Sequence, residues 1–296
     1  MAENSSIEWT HHTFNPWWGC AKVSPGCDNC YAENLANRFS TGIWGPNADR
    51  RTFGDKHWNE PLKWNRKAAK EGTRYRVFTA SMADVFDKNA PEGARDRLWK
   101  LIKDTPSLDW LLLTKRIGNA ANMLPDDWGA GYKNVWLGIS VVNQEEAYRD
   151  IPKLLDTPAR LRWLSIEPLL APLSFGGMWI EFTDSSIHKN MLEAINWVVA
   201  GGESGKGARP MHPEWARTIR DQCQAAGVPF LFKQWGEWAP ESEITVDGSP
   251  LSMTWQNNSA LHICEGGERV YRVGKKLAGR TLDGKLHDEY PIVDEE

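Results

Sequence analysis

The sequence predicts a parallel α/β fold, a partial (β/α) barrel of the TIM kind with six or seven strands and a small C-terminal appendage. Two observations carry this. From residue 76 to residue 233, short apolar runs alternate with amphipathic helical stretches, which is the pattern of parallel βαβ units. The apolar runs also end repeatedly in polar residues, as the working rim of such a barrel does. A chain of 296 residues is long enough to fill a barrel core. A doubly wound open sheet is the alternative.

Taken in order, residues 8–19 read as a short strand whose end Pro16 weakens. It leads into a loop that holds three of the five cysteines, Cys20, Cys27 and Cys30. Ser24-Pro25-Gly26 forces a turn between them, so the three sulfurs can face one point. Convergent thiolates of this kind imply a metal or iron–sulfur site. A helix follows the last cysteine, with Tyr31, Leu35 and Phe39 one turn apart, and its N-terminus directs N–H groups toward the thiolates. Residues 40–75 lack a clean period. They contain Arg50, Arg51, Lys63, Arg66, Lys67, Lys70 and Arg74, with Arg76 just beyond. They form either a solvated connection with a short helix or a basic flap over a phosphate backbone.

Further strands are predicted at 76–82, 110–115, 135–140, 161–167, 195–200 and 228–233. Helices are predicted at 91–103, 118–123, 144–155 and 213–226. Insertions at 171–194 and 239–296 break the rhythm. The division is a barrel over 1–238 and an extension over 239–296, a hairpin or two that can cover or flank the barrel mouth.

Ser81, Met82 and Asp84 follow the second strand, and Lys115 and Arg116 the third. Ser140 and Asn143 follow the fourth, Glu167 the fifth, Glu203 the sixth and Lys233 the seventh. One polar residue after a strand marks only where the chain meets water. Polar groups at six of seven strand ends, on one rim with three cysteines, point to a site. Gly201-Gly202-Glu203-Ser204-Gly205 permits close backbone approach but lacks the spacing of a phosphate-binding fingerprint.

The formal net charge of −4 excludes a protein that coats nucleic acid, so any such contact is local. No apolar run is long enough for a membrane span. The first residues lack the basic and apolar regions of a secretory signal. Clustered cysteines fit a reducing cytoplasm. Seventeen tryptophans fill the core for the most part; Trp17, Trp18, Trp44 and Trp235 are candidates to stack a base. Cys223 reads as a buried small hydrophobe. Cys264 is either a half-buried strand residue or a hydrogen-atom donor in a catalytic site. His11 or His12 could complete a Cys3His zinc site, which would make the chain a nucleic-acid-binding protein without catalysis.

A three-cysteine loop after the first strand of an α/β barrel resembles the radical S-adenosylmethionine (SAM) enzymes. Asn15–Cys20, Ser24–Glu33, Leu113–Arg116 and Gly201–Ser204 look more closely like an uncharacterised three-Cys-motif family of phages and bacteria, itself similar to spore photoproduct lyase. The resemblance covers residues 7–238. It implies that Cys20, Cys27 and Cys30 ligate a [4Fe–4S] cluster whose open iron takes SAM. It also implies reductive formation of a 5′-deoxyadenosyl radical, with an external electron donor of the flavodoxin or ferredoxin type. Tyr31, Ser81, Met82 and Asp84 would lie along SAM, Lys115 and Arg116 by its carboxylate, and Ser140 and Asn143 by its ribose. Glu167, Glu203, Lys233 and Cys264 remain as catalytic candidates. The implied chemistry is of the lyase or isomerase type on a thymine-derived base, for example a hypermodified thymidine in phage DNA. The cysteine spacing, six residues and then two, is wider than the usual one. Ser81-Met82-Ala83 stands where that superfamily carries Gly-Gly-Glu.

Overall fold

The computed structural model describes residues 2–39, 42–181, 188–246, 249–250 and 259–293. Parts of the predicted insertion (182–187) and extension (247–248, 251–258, 294–296) lie outside the described residues. The fold is α/β with seven parallel strands, the half-barrel class expected. The chain forms two compact units: Met1–Ile139 with Lys153–Arg162, and Ser140–Pro152 with Trp163–Glu296.

In the first unit, β1 (Ala2–Glu3) pairs antiparallel with β2 (His12–Thr13). Strand β3 (Tyr75–Thr79), then β4 (Leu108–Thr114), then β5 (Val135–Ser140) continue from β2 in parallel. All six residues of β5 are buried, which explains its unbroken apolar sequence: a parallel strand is covered on both faces. The first strand is much shorter than expected. Pro16 has no N–H to give, and the following backbone bonds to loops instead, Trp18 N–H to Arg51 and Gly19 N–H to Met82.

Four helices accompany these strands: α1 (Tyr31–Phe39), α2 (Asp55–Trp58), α3 (Glu60–Glu71) and α4 (Ala94–Lys103). Of the stripe Tyr31–Leu35–Phe39, Leu35 packs on the core and the two ends do not. Tyr31 and Phe39 are exposed, whereas Ala32 and Ala36 are buried against Met82. Small residues let the helix approach closely; large ones would hold it away.

In the second unit, β6 (Leu161–Ile166), β9 (Trp197–Gly201) and β10 (Phe230–Gln234) pair in parallel in that order. A hairpin of β7 (Trp179–Glu181) and β8 (His188–Asn190) fills the predicted insertion. Helix α5 (Gln144–Asp156) is capped by Asn143. Helix α6 (Pro213–Ala226) has the predicted bounds, with the His212 side chain accepting the Glu214 N–H, Pro213 in its first turn and Gly227 left-handed at its end, the expected start and stop signals. Beyond β10 come β11 (Trp238–Pro240), β12 (Thr245–Val246), β13 (Ser249–Pro250), β14 (Leu261–Ile263) and β15 (Arg269–Arg272). Strand β15 lies between β11 and β14. The last described segment returns along β10: Phe232 donates to the His287 carbonyl, and Leu231 faces Asp288.

Candidate functional site

Cys20, Cys27 and Cys30 line one pocket of the first unit. The loop that brings them there is built from local bonds. Ser24 Oγ accepts the Gly26 N–H at 3.1 Å, and the Ser24 carbonyl accepts the Cys27 N–H at 2.9 Å. This closes the turn that Ser-Pro-Gly predicts. Cys30 immediately precedes α1, and its carbonyl accepts the Asn34 N–H. On the other side, the Cys20 carbonyl accepts the Gly45 N–H at 2.8 Å. Gly19 has φ +114°, and a Cβ there would lie 2.2 Å from the Ile43 carbonyl oxygen.

A buried arginine holds the segment that packs on Gly19. The Arg50 side chain is fully buried. Its Nε donates to Asp87 at 2.9 Å, and Nη1 donates to the carbonyls of Gly45 and Ala48. This corrects the reading of Arg50 as a phosphate contact: a guanidinium without exposure, already bonded to a carboxylate and carbonyls, cannot meet a surface polyanion. Trp17 and Trp235 are corrected likewise. Both are fully buried and offer no face to a base. Trp44 lines the cysteine pocket, and Trp18 stacks beneath the Arg51 guanidinium at 5.2 Å.

The ends of the next two strands complete the pocket, with Ser81, Asp84, Thr114, Lys115 and Arg116 in its lining. Asn15 positions Ser81, donating to its Oγ at 3.0 Å while Oδ1 accepts the Met82 N–H. Tyr31 reaches across and donates to the Ser81 carbonyl at 2.9 Å. Met82 itself belongs to the packed core against α1 and is not in the lining. Asp84 is buried and saturated by protein donors. Its Oδ1 accepts Thr114 Oγ1 (2.7 Å) and the Phe86 N–H (3.0 Å); its Oδ2 accepts the Lys115 N–H (3.0 Å) and faces Arg116 (3.5 Å). It therefore organises the third strand end. Arg116 Nη2 donates to the Ala21 carbonyl at 2.8 Å.

Burial pushes the Cys20 thiol up to about 12, with Asp84 adding to the rise and Arg116 opposing it. Burial also raises Cys30, opposed among others by Lys115. Without a metal these thiols stay protonated near neutral pH. A metal ion reverses that, because the thiolate is the ligand. Among the described residues, no group of three or more His, Cys, Asp or Glu side chains forms a ready ligand set for a metal ion. The Cys3His alternative also lacks its histidine. His12 stacks on Trp64 at 4.4 Å, His11 Nδ1 accepts the Arg76 N–H, and neither lines the cysteine pocket.

The remaining candidates lie in the second unit. Glu167 faces Lys233 Nζ at 3.1 Å and accepts Ser165 Oγ at 3.2 Å, while Ser140 Oγ donates to the Glu167 carbonyl. Three strand ends thus share one half-buried polar cluster. Glu203 is clamped by Arg209, whose backbone N–H, Nε and Nη2 all donate to it. The Asn143 side chain caps α5 by accepting the Glu146 N–H. Cys264 is buried beside another pocket, lined also by His212, Trp215, His262 and Glu268. Cys223 is fully buried in α6, as expected.

A family model matches residues 4–291. The chain belongs to that family, described as Protein of unknown function (DUF5131). No curated protein matches it. Solved structures of spore photoproduct lyase are similar to it. One is a mutant with bound AdoMet and dinucleoside spore photoproduct, with a TM-score of 0.45 and 11% identity over 92% of this chain and 71% of that one. Another is the lyase complexed with dinucleoside spore photoproduct, with a TM-score of 0.42 and 9% identity over 93% and 72%.

In this DUF5131 member, sequence reading finds the groups at the pocket's edge and misses those that hold them. Arg50 is misread, and the supporting roles of Asn15, Asp87 and Thr114 are missed, because their partners are 30 to 67 residues away. Asn15, a polar residue amid a tryptophan-rich apolar run, was the one local signal.

Proposed function

We propose that this chain is a radical SAM enzyme in which Cys20, Cys27 and Cys30 hold a [4Fe–4S] cluster, and that it acts on a thymine-derived base in nucleic acid. The observation that carries the reading is the pocket itself. Three cysteines of one loop share it with the ends of the next two parallel strands, and Lys115 and Arg116 supply positive charge beside otherwise buried thiols. When bound, such a cluster supplies an electron to SAM and so gives access to radical chemistry. The chain's own residues hold the loop, exclude water and bring cations to the thiolates. Tyr31, Trp44 and Ser81 also line the pocket; Asp84 and Arg116 are engaged in fixing the site.

Nucleic acid as substrate rests on the motif resemblance and on a local basic face. Lys63, Arg66, Lys67 and Lys70 are exposed at i, i+3, i+4 and i+7 of α3, one helical stripe on a chain of net charge −4. A stripe of this kind suits phosphates and confers salt-dependent affinity.

Anaerobic purification and reconstitution should give brown protein with on the order of four irons and four sulfides per chain. Cys20→Ala, Cys27→Ala and Cys30→Ala should each lose that iron. With reductant, the wild type should form 5′-deoxyadenosine from SAM, and mass spectrometry of DNA nucleosides should show which base changes. Protein that stays colourless after reconstitution would sink the reading.

A further inference from the structure

Arg116 occupies an unusual place for a pocket-lining cation. It is about nine-tenths buried, and so is its partner Asp84. It spans from the third strand end to the cysteine loop, where Nη2 donates to the Ala21 carbonyl, directly after Cys20. Cys20 Sγ donates to the same carbonyl at 3.5 Å, so the thiol and the guanidinium meet on one oxygen. Asp84 cannot turn away, because Thr114 Oγ1 and the N–H groups of Phe86 and Lys115 hold both of its oxygens. The arrangement is a fixed carboxylate, a fixed guanidinium and one cysteine in series. Cys27 has no such guanidinium described beside it.

From this geometry we infer that Arg116, oriented by Asp84, is a positioning residue that sets the reduction potential of the cluster through Cys20, rather than a group that binds the carboxylate of SAM. The inference rests on the cluster reading above. Cluster potential depends on net charge and on hydrogen bonds to the sulfurs. A buried cation beside one thiolate stabilises the reduced, more negative state. Removing it leaves Asp84 uncompensated beside the same sulfur, so both changes push the potential down. Removing the charge of Asp84 while keeping Arg116 pushes it up.

The test is a redox titration of the reconstituted wild type, Arg116→Gln, Arg116→Lys and Asp84→Asn, followed by visible absorbance and electron paramagnetic resonance. Iron content and thermal melting are measured alongside. Arg116→Gln should lower the reduced-to-oxidised ratio at fixed poise by about tenfold, which is about 59 mV for a one-electron couple. Arg116→Lys keeps the charge and should recover much of the loss. Asp84→Asn should shift the potential in the opposite direction. A merely structural role changes iron retention or melting without opposite shifts in the two variants. If Arg116→Gln takes up no cluster, the comparison of Arg116→Lys, Asp84→Asn and wild type decides. A wild type that binds the cluster, with variants titrating at the same potential, overturns this inference and leaves the cluster reading standing. A wild type that binds no cluster overturns both.

Discussion

At the scale of single residues, burial decides which polar groups are available and which are structural. His12 shows this without any ligand. It is 4% exposed, stacked on Trp64, and its Nε2 has no hydrogen-bond partner among the described residues. Burial, with His11 and Lys67 nearby, lowers its pKa from 6.5 to about 4. The unfolded chain therefore binds a proton at a higher pH than the folded one. The stabilising effect of neutral His12 is complete above pH 6.5 and is lost as the pH falls from there toward 4. Unfolding free energy from urea titrations should rise with pH across that window. His12→Phe, which keeps the stack on Trp64, should flatten the rise; an unchanged slope would show that His12 is not the group responsible. Burial of His11 and His57 gives the same sign, so part of the slope should persist. The same logic reassigns Arg50, Trp17 and Asp84. Sequence marks them as polar or aromatic and therefore available, but a side chain's partners are fixed by contacts tens of residues away, which no local pattern reveals.

At the scale of elements, the regular pieces were legible and the irregular ones were not. The bounds of α6 follow from His212, Pro213 and Gly227, and those of β5 from an unbroken apolar run, because each is set by local chemistry. The cysteine loop was legible as a turn but not in its support. That support runs through Gly19, where φ is +114° and the space for a Cβ is taken by the Ile43 carbonyl oxygen at 2.2 Å and Arg50 Cδ at 2.9 Å. A backbone oxygen cannot yield as a flexible side chain can. Gly19→Ala should therefore displace the segment that begins at Cys20. The positive φ adds strain of roughly 1–3 kcal/mol. The expected outcome is a folded protein with reduced melting temperature and poor iron uptake on reconstitution. Gly72→Ala is the control. It also has positive φ, but nothing lies within 4 Å of the added Cβ, so it should cost about 1 kcal/mol and leave iron uptake intact. Equal iron loss in both variants would remove Gly19 from the argument.

At the scale of the whole molecule, a parallel sheet must end somewhere, and its last strand presents unpaired N–H and C=O groups that invite pairing with another chain. The sequence reads residues 239–296 as an extension that covers or flanks the barrel mouth. In the second unit, the end of that segment lies along β10. The His287 carbonyl accepts the Phe232 N–H at 3.0 Å, and Glu289 Oε2 accepts the Phe230 N–H at 2.9 Å. The Glu289 carbonyl accepts Trp197 Nε1 at 2.8 Å, and Glu289 N–H donates back to the Phe230 carbonyl. No periodicity announces this role, because residues 287–289 form no named strand and bond to β10 through single groups. Deleting residues 287–296 should uncover the edge and remove these four hydrogen bonds, each worth about 1 kcal/mol net. The expected result is a loss of roughly 2–4 kcal/mol in stability, together with aggregation that grows with protein concentration in light scattering. Deleting only residues 291–296 is the discriminating comparison, since Ile292 is 91% exposed and, among the described residues, the bonds to β10 end at Glu289. That shorter variant should melt and scatter like the wild type. If the longer deletion does so too, the edge is protected by something other than this segment.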